Sequence, residues 1–338
     1  MLKKSKIHNI EGHKDLKRNI EAYFKIADPE RLDRIKFSIF HPSINWNQRK
    51  KSYLANRKII ESLKPLFRKI KKAHIQIAND QGFDNYVKLT IDKFGIPEKK
   101  IDYYFRNVDK VIKQINYKLP IPKKTPSWYW SEFNMPDPLY GFSQDFKLNI
   151  PEDVYRMIGK YNLRIEKFKG RIKIEKMTDV SPSARFNTED KTVTLQLPQK
   201  KSLYNTLTLV HELGHADTFL KLADKGIDPY TKSKYWHEEQ AYKFKLEFED
   251  KAFFGDLGYA SKGEILDDFA STLFEYDIYS DPRHNFDKAY AMANNRCYPR
   301  YSKQIANPFY VLEKGFILRP FSTLMSSIVQ TELLSRKI

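Results

Sequence analysis

The stretch TLTLVHELGHADTFLKL, residues 206–222, decides how the rest of the chain is read. Leu207, Leu209, Val210, Leu213, Phe219 and Leu220 recur at helical spacing, which predicts a helix buried on most of its faces. On such a helix His211 and His215 share one face, about 5–6 Å apart at Cβ. Glu212 projects beside them, and Gly214 lets a neighbour approach closely. Two imidazoles and a carboxylate are expensive to bury unpaired on an apolar helix, so this face calls for a cation. Zinc gripped by two histidines and a third protein ligand, with one position open to water, is the chemistry this spacing serves. Glu212 is then the expected general base towards a zinc-activated water in peptide-bond hydrolysis.

Two later segments offer the third ligand. In YWHEEQAY (235–242), Glu238 lies 23 residues past His215, on a helix that also carries Lys245 and Glu249 and so reads as a half-exposed surface helix. In GEILDDFASTLFEY (263–276), Ile265, Leu266, Phe269, Ala270, Leu273, Phe274 and Tyr276 cover most of the circumference. The remaining stripe, Glu264–Asp268–Ser271–Glu275, is polar on an otherwise buried helix, and acids so placed need a cation or a hydrogen-bonded partner. Ser261 and Glu264 also fit a capping box, which would leave the other three polar positions unexplained. The favoured reading makes Glu264 the ligand and Asp268 an acid holding the outer nitrogen of a liganding histidine. Glu238 and Asp268 stay open as alternative ligands.

These residues resemble the glutamate-zincin metallopeptidases, above all the oligoendopeptidase F and thimet oligopeptidase family. The approach SLYNTLTLV (202–210) into HELGHA, the segment DFASTLFE (268–275), NPFYV (307–311) and GFDNY (82–86) are each similar to family segments in the same order. The resemblance implies a trimmed, divergent zincin with Zn2+ as cofactor and oligopeptides as substrates. It also implies a tyrosine on the substrate side, for which Tyr310 is the candidate catalytic residue. The departures are specific. The family's ligand glutamate falls on Asp268 in this register, and family members place that acid closer to the second histidine, a spacing Glu238 fits. Aromatic positions after the family's tyrosine are Leu312 and Lys314 here. A second reading follows from them: a catalytically impaired zincin-fold protein that binds peptides or proteins.

The rest of the chain is consistent with a mainly α protein carrying a small sheet just ahead of the HELGH helix. GRIKIEKM (170–177) and KTVTLQLP (191–198) alternate apolar and polar residues as strands do, with SPSARFNTED between them supplying turn chemistry. Residues 1–120 read as a helical region, with Leu54, Ile59, Ile60, Leu63, Leu66, Phe67 and Ile70 near a 3.6-residue period. Residues 121–150, dense in proline and aromatics, read as a linker or cleft rim, and 151–338 as the zincin-like catalytic region.

The 338 residues are 41% apolar, enough for a sizeable core, and carry a formal net charge of +18. The lysines that dominate this charge are spread along the chain without an RNA-binding or zinc-finger signature, so nucleic acid is not the expected partner. The excess charge reads first as lysine-rich, solvated helix faces, and beyond that suggests a peptide substrate, or a partner, of acidic character. One cysteine, Cys297, excludes an internal disulfide framework. No run of about 18 apolar residues would span a membrane, and the expected location is cytoplasmic.

Overall fold

The computed structural model describes residues 11–40, 46–118, 168, 170–177, 183–198, 203–252, 256–281, 283–299 and 309–336. The proline- and aromatic-rich segment at 121–150 lies outside the described residues. The described chain is mainly helical: α1 (Glu11–Ile26), α2 (Pro29–Phe40), α3 (Trp46–Asp80), α4 (Tyr86–Phe94) and α5 (Glu98–Lys118) precede the sheet. After it come α6 (Leu203–Asp224), α7 (Lys234–Ala252), α8 (Asp256–Ser280), α9 (Phe286–Cys297), α10 (Lys314–Leu318) and α11 (Leu324–Ser335). No described helix is long and apolar enough to cross a membrane.

The chain forms two compact units that are not consecutive in sequence. One takes the chain up to Glu98 together with Leu266–Leu324, and the other takes α5, residues 168–265 and the segment from Met325 onward.

In the first unit, α1, α2 and α4 pack on the long α3. Ile60, Leu63, Phe67 and Ile70 of α3 are buried, as their spacing predicts, whereas Leu54 is 55% exposed and does not join the core. Asn85 caps α4 by accepting from the Lys88 backbone N–H at 2.9 Å, and Gly95 ends it in the left-handed region at φ 63°. The most demanding feature is a buried ion pair. Lys71 and Glu275 are each 1% exposed, with Lys71 Nζ 3.6 Å from Glu275 Oε1. Lys71 also donates to the Tyr279 hydroxyl at 2.8 Å and the Phe316 carbonyl at 3.0 Å, while Glu275 accepts from the Phe321 backbone N–H at 2.7 Å. That last bond holds a non-glycine residue at φ 59°. Burial pushes Lys71 down to about 8 and Glu275 up to about 7, each opposed by the charge of the other.

The second unit contains the sheet, with β1 (Ile172–Met177), β2 (Ser183–Asn187) and β3 (Thr192–Pro198) in the order β1-β3-β2. β1 runs parallel to the central β3, and β2 pairs with it antiparallel, with Ala184 opposite Leu195. The segment read as turn chemistry is therefore a strand followed by a tight loop. Its pattern is faint because Phe186 alone of its five residues is buried. The turn signal was real but belongs to the loop, where Asn187 accepts from Glu189 N, Asp190 accepts from Thr192 N, and Lys191 sits at φ 52°. One sheet face packs on α6 through Val193, Leu195, Leu209, Leu213, Ala216 and Leu220.

Replacing Lys71 with methionine should strand the buried Glu275 carboxylate and cost about 3–5 kcal/mol in urea unfolding. The double variant Lys71→Met/Glu275→Gln, which keeps an acceptor for Phe321, should recover most of that loss.

Candidate metal and catalytic site

The site is built where α6 and α7 touch. Gly226, at φ 70°, closes α6, and a 3-10 turn at Pro229–Thr231 capped by Asp228 returns the chain into α7. The two helices meet at Gly214. A Cβ there would lie 2.8 Å from both Cα and O of Ala241 and 3.0 Å from Cβ of Phe244. Only a glycine at 214 permits this approach to the Ala241 backbone. Its consequence follows from helical spacing, since His211 and His215 flank Gly214 and Glu238 precedes Ala241 by one turn.

The three side chains converge. The His211 and His215 Nε2 atoms are 3.1 Å apart, and Glu238 Oε2 lies 3.2 Å from the first and 3.7 Å from the second. One ligand atom from each residue falls within 4.8 Å of the other two, an arrangement able to hold a metal ion. Burial opposes the charge of Glu238, but hydrogen bonds from both imidazoles hold its carboxyl well below the usual carboxylate range. Burial likewise opposes protonation of His215, yet the Glu238 hydrogen bond and charge raise its pKa overall. A cation is the natural occupant of a point where two imidazole nitrogens and a carboxylate oxygen crowd together.

Glu212 is 7% exposed and sits beside the two histidines. Burial pushes its carboxyl up, the imidazoles pull it down, and the Ala184 backbone N–H donates to it. Ala184 belongs to β2, an edge strand among the described residues, so the sheet edge and the candidate base meet directly. A cavity of about 490 Å³ opens here, bounded by Ser183 and Ala184 of β2, the two histidines, Glu212 and Glu238. Phe219, Tyr230, Lys232, Lys234 and His237 complete its lining. The Tyr242 ring packs 4.5 Å from that of His211.

The favoured third ligand is not at this point. Glu264 accepts from Lys245 Nζ at 2.7 Å, and that lysine side chain is only 4% exposed. Contrary to the half-exposed surface helix expected, Lys245 does not mark a solvated face of α7 but is buried with an acid as its partner. Tyr235, Ala241, Phe244, Leu246 and Phe248 bury the same helix. Two acids of the polar stripe are thus answered by lysines, Glu264 by Lys245 and Glu275 by Lys71. Among the described residues no group accepts from His211 Nδ1 or His215 Nδ1, so the supporting acid expected in Asp268 is not seen. Tyr310 is fully buried among Phe67, Phe274 and Phe286, and its hydroxyl donates to Asp287 at 2.9 Å. It is a core residue of that aromatic cluster.

Sequence reasoning did not find Tyr230, Lys232, Lys234, His237 or Tyr242. The signal for α7 was present in the pairing of two small residues, Gly214 and Ala241, one turn from the ligand candidates on each helix.

No protein-family model matches the sequence, and no curated protein matches it either. Solved structures do. A candidate oligoendopeptidase F superposes with a TM-score of 0.61 at 12% identity, over 96% of this chain and 66% of its own. A candidate peptidase from Chlamydophila abortus matches with a TM-score of 0.61 at 16% identity, over 95% and 62% of the two chains. PZ peptidase A, solved with an inhibitor, matches at 0.57 and 11%, over 97% and 67%. The chain has the fold of the oligoendopeptidase F peptidases. It spans about two thirds of the length of these structures, and at such identities the likeness is one of fold. The expected resemblance, divergent in sequence, is borne out at the level of fold.

Substituting Gly214 with alanine forces a methyl into the Ala241 backbone, so α6 and α7 must separate. The expected cost is about 1–3 kcal/mol in denaturant unfolding, and more for valine.

Proposed function

We propose that the chain is a zinc-dependent metallopeptidase acting on peptides, with His211, His215 and Glu238 as the metal ligands. The observation that carries this reading is the convergence of two Nε2 atoms and one carboxylate oxygen beside Glu212, within a peptidase fold. The donor set, two imidazoles and one carboxylate, suits zinc with a position left open, as catalytic sites require. When bound there, zinc would acidify a water and polarise a carbonyl oxygen.

The chain's own residues supply the rest. Glu212 accepts the proton from water at its carboxylate and returns it to the departing amine nitrogen. Its burial raises its proton affinity, which suits a base that must also act as an acid, while the Ala184 N–H fixes its orientation. Among the described residues β2 pairs on one side only, with β3, and an extended peptide added at its other side would run past Ser183 and Ala184 into the cavity. Phe219 and Tyr242 pack against the two imidazoles and restrict their rotation. Glu264 and Asp268 take no part in holding the metal in this scheme, and no role at the reacting bond is assigned to Tyr310.

The buried position of Tyr310 favours a second reading, a peptide-binding descendant that keeps the metal without turnover. Zinc at one equivalent with no cleavage of a diverse peptide library would establish it.

The purified protein should contain one zinc by atomic emission. Glu212→Gln should retain the metal and lose peptide hydrolysis by about 10²–10⁴-fold. Glu238→Ala should lose zinc, whereas Glu264→Gln should keep it and lose stability. Zinc retained in Glu238→Ala and lost in Glu264→Gln would reverse the ligand assignment.

A further inference from the structure

The outer side of β2 is the track on which an extended peptide would pair, and its backbone groups can be assigned. In an antiparallel ladder, successive residues turn their N–H and C=O alternately towards the neighbouring strand and away from it. The Ala184 N–H goes to Glu212, and the Phe186 carbonyl accepts from the Tyr230 hydroxyl at 3.1 Å. Both residues therefore point away from β3, as their separation of two positions requires. Between those two bonds, the Ala184 carbonyl and the Phe186 N–H are the outward groups that an added peptide would meet.

The residue that covers the Phe186 carbonyl is not held there by burial, since Tyr230 is 59% exposed. Its main chain is fixed instead. The Tyr230 N–H donates to Asp228 Oδ1 at 3.0 Å, within the 3-10 turn Pro229–Thr231. The Pro229 carbonyl accepts from His237 Nε2 at 2.9 Å, which ties this turn to α7 one residue before Glu238. The Tyr230 ring lies 6.1 Å from that of Phe219, and the Phe219 ring stacks at 6.1 Å on His215. The phenol thus stands on the wall of the cavity that Glu212 and the two histidines line. A strand added to β2 would lie about 4.8 Å from it. A phenol whose oxygen is 3.1 Å from the Phe186 carbonyl fills that lane and takes the acceptor that the next peptide N–H would use. Edge strands are templates for added chains, so a side chain seated on one sets how far pairing can run.

We propose that Tyr230 is a stop on the edge of β2, confining peptide pairing to the Ala184 side of the Phe186 carbonyl. This inference rests on the peptidase reading of the same cavity. Lengthening a peptide past the stop adds no strand pairing, so its affinity ceases to grow at that end. Tyr230 acts by position, through the acceptor it covers and the space its ring fills, and takes no part at the reacting bond.

The test uses the whole chain and peptides blocked at both ends. The tightest binder of the Glu212→Gln protein is taken from a random library of such peptides. It is then trimmed, and lengthened with alanine, one residue at a time from each end. Affinities are measured by calorimetry for Glu212→Gln, Glu212→Gln/Tyr230→Phe and Glu212→Gln/Tyr230→Ala, and cleavage is followed in the proteins that keep Glu212. The expected result is an affinity that levels off on extension at one end. At that same end Tyr230→Ala should give a further gain of about fivefold, the effect of one added hydrogen bond. Tyr230→Phe, which keeps the ring and drops the bond, should give a smaller gain. The end that responds shows the direction in which the peptide lies along β2. In cleavage the gain should fall on KM, with the ratio of kcat between longer and shorter peptides unchanged. An affinity that keeps rising at both ends while Tyr230 is present would overturn the stop, as would the same length profile without Tyr230. A loss on extension in Tyr230→Ala, or no peptide bound by any of these proteins, would also overturn it. Binding with the expected length profile but without cleavage would refute the peptidase reading and leave the stop standing.

Discussion

The contact between Gly214 and the backbone of Ala241 is the constraint on which the candidate site depends. Two histidines one turn apart on α6 can face a neighbour, but they reach a carboxylate only if that neighbour comes close enough. At Gly214 the two helices approach to the point where a single methyl would collide with main-chain atoms. That brings Glu238 within 3.2 Å of His211 and 3.7 Å of His215. Packing and chemistry are therefore one feature here. The pair that lets the helices interlock also sets the distance between the ligand atoms.

The lysines explain the buried acids that the site does not use. Glu264 and Glu275 each lie on α8 against a lysine that is almost wholly out of solvent, Lys245 in one unit and Lys71 in the other. A buried carboxylate demands a cation, and two kinds are available to a protein: a metal ion or an ammonium group from elsewhere in the chain. From the sequence of α8 alone the two cannot be told apart. Lys245 lies 19 residues before Glu264 and Lys71 more than two hundred before Glu275, and nothing in the helical pattern of α8 marks either as a partner.

A related confusion hid β2. Ser183–Asn187 carries turn-forming residues and one buried aromatic, so its local pattern reads as a loop. It becomes a strand because β3 offers it a free edge, and the hydrogen bonds gained there come from a segment whose own pattern is clear. Its position then gives it a functional consequence, since the Ala184 N–H reaches Glu212. Tyr310 shows the opposite case. Its neighbours in sequence resemble a substrate-side segment, but its hydroxyl is held by Asp287 within a cluster of aromatic rings.

The sequence by itself determined the mainly helical fold with a small sheet, the buried character of α6, and the shared face of His211, Glu212 and His215. All of these follow from side chains within a few residues of one another, where helical and strand periodicity fix the geometry. Only the tertiary structure decided that Glu238, not Glu264, meets the histidines, and that β2 exists. Each of these depends on contacts between segments remote in sequence: β2 on its pairing with β3, and the meeting of Glu238 with the histidines on how closely α6 and α7 approach. That approach is controlled by the absence of a side chain at Gly214, which periodicity does not register.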